Sequence, residues 1–171
     1  MKKKEWDITF LEIAKLMSEH STCTRVQVGG VLVKAGRIIS TGYNGVASKQ
    51  LECKQFFKEL HNEMNIDEKF EDFIKSKEFS DMHRDFSIHN ELHAEQNIIG
   101  YAARNGVNTS DSTIYLTCSP CTQCAKLLIA SGVVRVVYAE IYNRTSDDGL
   151  PLLKQCKIAC DLISMEDGFG K

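Results

Sequence analysis

The sequence predicts an α/β fold in which a mixed, largely parallel β-sheet is covered by helices on both faces. The chain has 171 residues, 43% of them hydrophobic, which suffices for a domain with a sizeable core. A pair of β-branched runs lies in the first third, and further runs alternate with helix-length segments towards the C-terminus. Strands that alternate with helices are typical of a sheet with a helical layer on each side.

The first elements are a helix and a hairpin. Four apolar residues at helical spacing predict the buried stripe of a helix ending near His20: Trp6, Phe10, Ile13 and Met17. Two β-branched runs, 26–34 and 37–43, come next. They are joined by Ala35-Gly36, a connection short enough for an antiparallel hairpin.

A polar segment then interrupts this pattern. Gly42-Tyr43-Asn44-Gly45 predicts a tight loop at the end of the hairpin. Beyond it, residues 47–90 are dominated by Lys, Glu, Asp and Phe and hold few β-branched residues, which predicts one or two amphipathic helices plus loop. We interpret the chain as a single domain, 1–171, with a polar insertion at about 47–90.

Three α/β steps follow the insertion. In chain order they are a helix over 94–104, a strand over 113–117, a helix over 121–130, a strand over 133–140, a helix over 147–155 and a final strand over 159–165. Together with the hairpin this gives a five-stranded mixed sheet. Helices on both of its faces make the predicted architecture a three-layer α-β-α arrangement.

Charge and cysteine content narrow the possible functions. A net charge of −2, with both signs interspersed, argues against a polynucleotide partner but is compatible with a small phosphorylated ligand. No apolar run suits a signal peptide or a membrane span, so we expect no membrane association. Three of the seven cysteines crowd into 118–124, which favours thiolate chemistry in a reducing compartment, the cytoplasm.

Two short motifs carry the strongest chemical signal. They are His93-Ala94-Glu95 and Pro120-Cys121-Thr122-Gln123-Cys124. Zinc binds imidazole nitrogen and thiolate sulfur, and a catalytic zinc needs three protein ligands with the fourth position left for water. Cys121 and Cys124 share a helix face at i and i+3, while Pro120 suits the helix start. The motifs therefore predict a catalytic zinc held by His93, Cys121 and Cys124.

Glu95 is the predicted proton carrier. On a continuous helix it would point roughly 200° away from His93, so we expect His93 at the helix entrance and Glu95 beside the zinc water without ligating the metal. A closed zinc knuckle and a redox Cys-x-x-Cys are the alternatives. The pairing of H-x-E with P-C-x-x-C is the signature of zinc nucleobase deaminases and favours hydrolytic deamination.

With these motifs the chain resembles the deoxycytidylate (dCMP) deaminases, in particular the phage-type branch of the zinc-dependent cytidine and deoxycytidylate deaminase superfamily. The resemblance spans roughly residues 5–165. It is carried by four segments: 25–29 (RVQVG), 40–45 (STGYNG), 93–97 (HAEQN) and 117–126 (TCSPCTQCAK). It implies the cytidine-deaminase-like fold, and a location in the host cytoplasm if a phage encodes the chain.

The resemblance also implies an activity and its control. The reaction would convert dCMP and water to dUMP and ammonia and supply dUMP for thymidylate synthesis. Members of the family are typically homohexamers, activated by dCTP and inhibited by dTTP, so Mg²⁺ is expected with a triphosphate effector. Effector binding is implied at Gly42, Tyr43, Asn44 and Gly45, where glycine lets backbone approach a ligand and Asn offers a donor and an acceptor. The other interpretation is an ordinary turn.

Four residues are candidates for substrate contact. Arg25 is our choice for the phosphate, since a guanidinium can bind phosphate through two hydrogen bonds. Tyr142 stands where the family places an aromatic ring against the cytosine, although a core or interface role would also suit it. Ala94 and Ser119 flank the zinc ligands and could offer backbone groups to the pyrimidine.

The resemblance implies a second, structural zinc as well. Its ligands would be Cys23, Cys53, His83 and Glu91, a closed set of four. His61 or His89 could replace His83. The alternative is that these are unliganded buried cysteines and surface histidines.

Two other functions remain open at this point. The first is deamination of another cytosine substrate, either free cytidine or deoxycytidine or an RNA base. The second is a zinc-stabilised binding module without turnover, against which Glu95 argues because a purely structural site has no use for a non-ligating carboxylate.

Overall fold

The structure, a computed structural model, describes residues 2–142 and 147–164. Its helices are α1 (Lys2–Ser18), α2 (Cys53–Glu63), α3 (Phe70–Phe73), α4 (Lys77–Asn90), α5 (Ala94–Arg104), α6 (Thr122–Ala130) and α7 (Leu150–Gln155). Its strands are β1 (Gly29–Lys34), β2 (Arg37–Tyr43), β3 (Gly45–Val46), β4 (Glu91–Leu92), β5 (Ser112–Cys118), β6 (Val133–Glu140) and β7 (Ala159–Leu162). The predicted strand end at Met165 lies outside the described residues. None of the described helices is long and apolar enough to cross a membrane.

Five strands form one mixed sheet, as predicted, in the order β2-β1-β5-β6-β7. β1 is antiparallel to both β2 and β5, whereas the β5–β6 and β6–β7 pairs are parallel. Of these five strands β1 alone therefore runs in the opposite direction, which confirms the expectation of a mixed, largely parallel sheet. After the insertion the chain enters the sheet again as β5. This strand lies beside β1, the inner strand of the hairpin, and is antiparallel to it.

Helices cover both faces of the sheet. Along β1 the side chains alternate, so Val31 and Val33 face one side while Leu32 faces the other. The first side packs against α1 through Phe10 and Leu11. The second carries the larger core with α5, α6 and α7. These layers form the predicted three-layer arrangement.

The buried face of α1 contains three of the four predicted stripe residues, since Phe10 is buried and Ile13 and Met17 pack against the same core. The fourth, Trp6, is 59% exposed. Asp7 is buried instead, and it accepts hydrogen bonds from the Tyr115 hydroxyl and from the Arg135 guanidinium at 2.7 Å each. The apolar pattern did not predict this burial because Asp7 is a charged residue.

The hairpin forms where the sequence predicts it. Its turn residues, Ala35 and Gly36, both have positive φ, at 49° and 74°, as tight two-residue hairpin turns require. β1 begins at Gly29 and not at residue 26. The tight loop predicted at Gly42–Gly45 was wrong, since the chain continues from β2 through Asn44 into β3.

The insertion has a hydrophobic core of its own. It contains α2, α3 and α4, and its ends meet where β3 pairs antiparallel with β4. The buried side chains of this core are Cys53, Phe57, Phe73, Phe79 and Phe86. The phenylalanines that gave the segment its unusual composition thus serve as its packing residues.

Candidate active site

His93 lies at the entrance to α5, as predicted. It is the N-cap residue, with extended backbone angles of φ −71° and ψ 159°. Its backbone N–H donates to Oε1 of Gln96 at 2.7 Å, which satisfies a donor at the helix start. Glu95 belongs to the helix, whereas His93 precedes it. The expectation that the two side chains point in opposite directions holds only on a continuous helix, so it does not apply here.

Cys121 is the N-cap of α6, so the helix starts one residue later than predicted and Pro120 precedes the cap. The Cys121 Sγ accepts from the backbone N–H of Cys124 at 3.5 Å. The His93 Nδ1 atom lies 3.5 Å from the Cys121 Sγ and 3.4 Å from the Cys124 Sγ. All three ligand atoms lie within 4.8 Å of one another, which brings together the set predicted for the catalytic zinc.

The protonation states of these three groups depend on one another. Hydrogen bonds from the Cys124 thiol and from His93 lower the pKa of Cys121 to about 4. The pKa of His93 rises to about 9, chiefly through its hydrogen bond with Cys121. The neighbouring Cys121 thiolate raises the pKa of Cys124. The low pKa of Cys121 favours one thiolate, while a bound cation would have to displace the protons of His93 and Cys124.

Glu95 lies beside this group and is only 4% exposed. Burial raises the pKa of its carboxyl group, and a hydrogen bond from the Cys124 thiol opposes that rise. A buried carboxyl group next to metal-ligating atoms has the placement of a proton carrier.

The four residues predicted for a second zinc also come together. The His83 Nε2 atom lies 3.3 Å from the Cys23 Sγ and 3.4 Å from the Cys53 Sγ. Oε2 of Glu91 lies 3.8 Å from the Cys23 Sγ and accepts a hydrogen bond from the Ser87 hydroxyl at 2.7 Å. All four ligand atoms lie within 4.8 Å of one another, and all four residues are buried.

The electrostatics of this second group leave one carboxylate oxygen without a partner among the described residues. A hydrogen bond from Cys53 lowers the pKa of Cys23 to about 3, and the hydrogen bond that Cys53 donates raises the pKa of Cys53. Burial and the Cys23 thiolate raise the pKa of Glu91. Among the described residues, nothing donates to the buried Oε1 of Glu91. Such an orphaned acceptor is rare inside a folded protein, and a metal ion would satisfy it.

The two alternative histidines lie elsewhere. The His61 Nε2 atom is 2.9 Å from the backbone oxygen of Glu68, and its ring packs against Phe73. His89 is exposed on α4, with Nδ1 2.8 Å from the backbone oxygen of Asp85. The geometry therefore favours His83 over both.

A cavity of about 410 Å³ joins the two groups. Its wall includes His93 and Glu95 from the first group and Cys23, His83 and Glu91 from the second. All four predicted substrate-contact residues line it: Arg25, Ala94, Ser119 and Tyr142. The volume lies in the usual range for small-molecule sites.

Hydrogen bonds fix two parts of the cavity wall. Nη1 of the half-buried Arg25 donates to the Ser80 carbonyl at 3.2 Å, which ties the start of the sheet layer to α4. The Ser119 hydroxyl accepts from the backbone N–H of Tyr142 at 2.9 Å. That bond holds the segment after β6 against the segment after β5, where Cys121 begins the next helix.

The residues predicted to bind an effector do not share one environment. Asn44 is buried and lines the cavity, where its amide group bonds to Val28 N at 2.7 Å and to Val26 O at 2.9 Å. Tyr43 points outward, 38% exposed, with its ring 5.9 Å from that of His20. A side chain on Gly42 would collide with Ile98, so this glycine serves the packing of α5. Effector binding stays a prediction.

Sequence reasoning missed the wall that α4 contributes. Four of its cavity-lining residues had not been singled out: Ser80, Arg84, Ser87 and Ile88. They lie at helical spacing around His83. A helix predicted through that candidate ligand would have placed them near it, and this periodicity was the available signal. Asp147 lines the cavity too and accepts from the backbone N–H of Thr122 at 3.0 Å.

A three-layer α/β fold with a His/Cys/Cys group and an adjacent buried glutamate is the arrangement of zinc-dependent nucleobase deaminases. Residues 4–140 match the family model of the cytidine and deoxycytidylate deaminase zinc-binding region. The chain therefore belongs to the cytidine and deoxycytidylate deaminase family.

Relatives of named activity include two phage enzymes. The deoxycytidylate deaminase of Enterobacteria phage T4 is 36% identical over 165 residues, covering 88% of this chain and 86% of that protein. The deoxycytidylate deaminase of Mycobacterium phage D29 is 33% identical over 138 residues, covering 81% and 97%. Among solved structures, dCMP deaminase from cyanophage S-TIM5, in complex with dCMP and dUMP, matches with a TM-score of 0.67 at 28% identity, covering 91% and 94%.

Proposed function

We propose that this protein catalyses the hydrolytic deamination of dCMP to dUMP and ammonia. The observation that carries the proposal is the convergence of His93, Cys121 and Cys124 within 4.8 Å beside the buried Glu95, on a cavity that Arg25 also lines. The named activities of the phage relatives support the same substrate.

The donor set of the first group fits a catalytic zinc. One imidazole and two thiol groups leave one coordination position for a reactant, whereas a structural zinc would have four protein ligands. Zinc bound there would supply Lewis-acid activation of a water molecule at neutral pH.

Glu95 would move the protons of the reaction. It takes a proton from the attacking water as the new C–O bond forms at C4 of the cytosine ring. It delivers that proton to N3, because the C4=N3 double bond becomes single on attack. It then carries the remaining hydroxyl proton to the exocyclic amino group, so that C4=O forms, the bond from C4 to the amino nitrogen breaks and ammonia leaves. Its burial keeps competing water away from the carboxyl group.

The remaining cavity residues would hold the nucleotide. Tyr142 supplies an aromatic face for the pyrimidine ring, and the backbone groups of Ala94 and Ser119 are available to its polar edge. Arg25 would bind the phosphate, since the Ser80 carbonyl already orients its guanidinium.

The second group fits a structural zinc. Two cysteines, a histidine and a glutamate from four separate parts of the chain make a closed set of four ligands. A cation there would neutralise Cys23 and Glu91 and would satisfy the orphaned carboxylate oxygen of Glu91. Through this cation, the ligand atoms of Cys53 and His83 would link α2 and α4 of the insertion to the segment before β1, which carries Cys23.

The proposal has three further parts. We propose regulation by dCTP and dTTP, with Mg²⁺ accompanying the triphosphate, and assembly into a homohexamer. We also propose a role in supplying dUMP for thymidylate synthesis. The exposed Tyr43 ring beside His20 is the accessible part of the proposed effector segment Gly42–Gly45. An aromatic ring at a surface offers a stacking face to a nucleotide base.

The deciding experiment measures ammonia release from dCMP, CMP, deoxycytidine and cytosine by the zinc-loaded protein. We expect dCMP to give the highest kcat/KM. Equal rates on deoxycytidine and dCMP, or ammonia from none of the four, would overturn the assignment.

The same assay with dCTP or dTTP, each with and without Mg²⁺, tests the proposed regulation. Activation by dCTP and inhibition by dTTP are expected, and a Tyr43→Ala variant should respond less to both. Sedimentation of the protein with and without dCTP tests the hexamer. Indifference to both nucleotides would remove the regulatory part of the proposal and leave the catalytic part standing.

A further inference from the structure

We propose that Arg84 is a second phosphate-binding residue, which with Arg25 makes the cavity select a nucleoside monophosphate over a nucleoside. The inference rests on the proposed deaminase function and adds a specificity-determining residue to it. Arg84 belongs to the insertion, outside both metal-ligating groups.

The position of Arg84 on α4 directs it to the cavity. Ser80, His83, Arg84 and Ser87 follow one another at spacings of three, one and three residues, so they lie on one face of the helix. All four line the same cavity as His93 and Glu95. The neighbouring face of α4 packs into the insertion core through Phe79 and Phe86. This packing fixes the rotation of the helix about its axis, so Arg84 is directed to the cavity.

Charge distinguishes Arg84 from the rest of the wall. Among the cavity-lining residues that the structure describes, two carry a guanidinium group, Arg25 and Arg84. The three carboxyl groups there have other partners: Glu91 belongs to the second ligand group, Glu95 lies beside Cys124, and Asp147 accepts from Thr122 N. A phosphate that carries up to two negative charges is matched best by two cations.

The two arginines are held differently. Arg25 is half-buried and its Nη1 donates to the Ser80 carbonyl, one turn before Arg84 on the same face of α4. Arg84 is 63% exposed and pairs with Asp81, itself 54% exposed, at 3.1 Å. Exposed ion pairs of this kind are weak and screened by solvent, so a phosphate can replace Asp81 as the partner of Arg84 at little cost. Arg25 would then supply a fixed contact and Arg84 a mobile one.

The test compares dCMP with deoxycytidine, which lacks the phosphate. Arg84→Gln should lower kcat/KM for dCMP about tenfold, as expected for the loss of one charged hydrogen-bonding partner, mainly through KM. Its kcat/KM for deoxycytidine should stay within about twofold, the scatter expected of a surface substitution. Arg84→Lys should lie between, because it keeps the charge and loses the bidentate geometry.

Arg104→Gln is the matched control, since it removes the same charge from an exposed helix position outside the cavity. It should leave both substrates unaffected. Inhibition of the wild type and of Arg84→Gln by dUMP gives a second measurement, and the variant should bind dUMP more weakly.

The outcomes separate this inference from the proposed function. If the wild type deaminates dCMP and Arg84→Gln matches it in both kcat/KM and dUMP inhibition, Arg84 is not a phosphate ligand and the proposed function stands. If the variant loses activity on dCMP and deoxycytidine equally, its role is not phosphate selection and the inference fails. A wild type without activity on dCMP overturns the proposed function itself.

Discussion

Glu95 shows how one residue can be tested apart from the metal beside it. It lies two positions after His93, yet it is not among the grouped ligand atoms. Glu95→Gln keeps the shape of the side chain and removes its ability to carry a proton. We expect kcat for ammonia release to fall by about 10²–10⁴-fold, while the zinc content measured by atomic absorption stays at the wild-type value.

Glu12→Gln is a suitable control, because Glu12 is an exposed residue of α1 far along the chain from the ligand groups. It should deaminate dCMP at the wild-type rate. Substantial ammonia release by Glu95→Gln would remove Glu95 from the mechanism, and loss of zinc from that variant would make it a ligand instead.

Most of the individual site residues could be predicted because their signals are local. The H-x-E and P-C-x-x-C motifs place His93, Cys121 and Cys124 by spacing alone, and the structure brings their ligand atoms together. Arg84 had no such motif. Its presence in the cavity depends on how α4 packs through the phenylalanines on its neighbouring face, and that is a tertiary property. Asn44 was singled out, but the backbone groups it bonds could not be inferred from its neighbours.

At the level of elements, α1 and β1 approach closely because Gly29 has no side chain. A Cβ atom there would lie 2.2 Å from the Ala14 carbonyl oxygen and 2.4 Å from the Ser18 backbone nitrogen. Since both are backbone atoms, relief requires moving the whole helix. We expect Gly29→Ala to lower the free energy of unfolding by about 3 kcal/mol and the melting temperature by about 6–12 °C, as thermal unfolding would show.

Gly100→Ala is the matched control. Gly100 is an exposed residue of α5, and a Cβ atom added there meets nothing within 4 Å. Alanine favours a helix over glycine, so this change should raise the free energy of unfolding by about 0.5–1 kcal/mol. Equal melting temperatures for the two variants would mean that α1 does not pack on β1 through Gly29.

The helices and strands of this fold show what sequence periodicity can and cannot predict. Alternation and β-branched runs gave β2 and β6 with the predicted bounds, and helical spacing gave α5. The antiparallel pairing of β5 with β1 could not follow from either strand, because strand order depends on how the whole chain packs. On α1 helical spacing gave Phe10, Ile13 and Met17 correctly. It placed the exposed Trp6 on the buried face, where the charged Asp7 lies and pairs with Arg135.

On the scale of the whole molecule, the second ligand group connects the insertion to the sheet layer. Cys53 begins α2, His83 lies on α4 and Glu91 begins β4, while Cys23 precedes β1. Glu91 is also two residues before His93, so the same short segment serves both groups. A cation held by the four residues would fix α4, and with it the cavity wall that carries Arg84.

The zinc content of the purified protein tests this arrangement. We expect two zinc ions per chain in the wild type and one in Cys53→Ser, which should keep the zinc held by His93, Cys121 and Cys124. If free zinc is about 1,000 times its dissociation constant, the bound ion adds about 4 kcal/mol to stability, so Cys53→Ser should melt roughly 8–16 °C lower. Cys156→Ser, at an exposed cysteine outside both groups, should change neither number. One zinc in the wild type, unchanged by Cys53→Ser, would show that the four buried residues hold no metal.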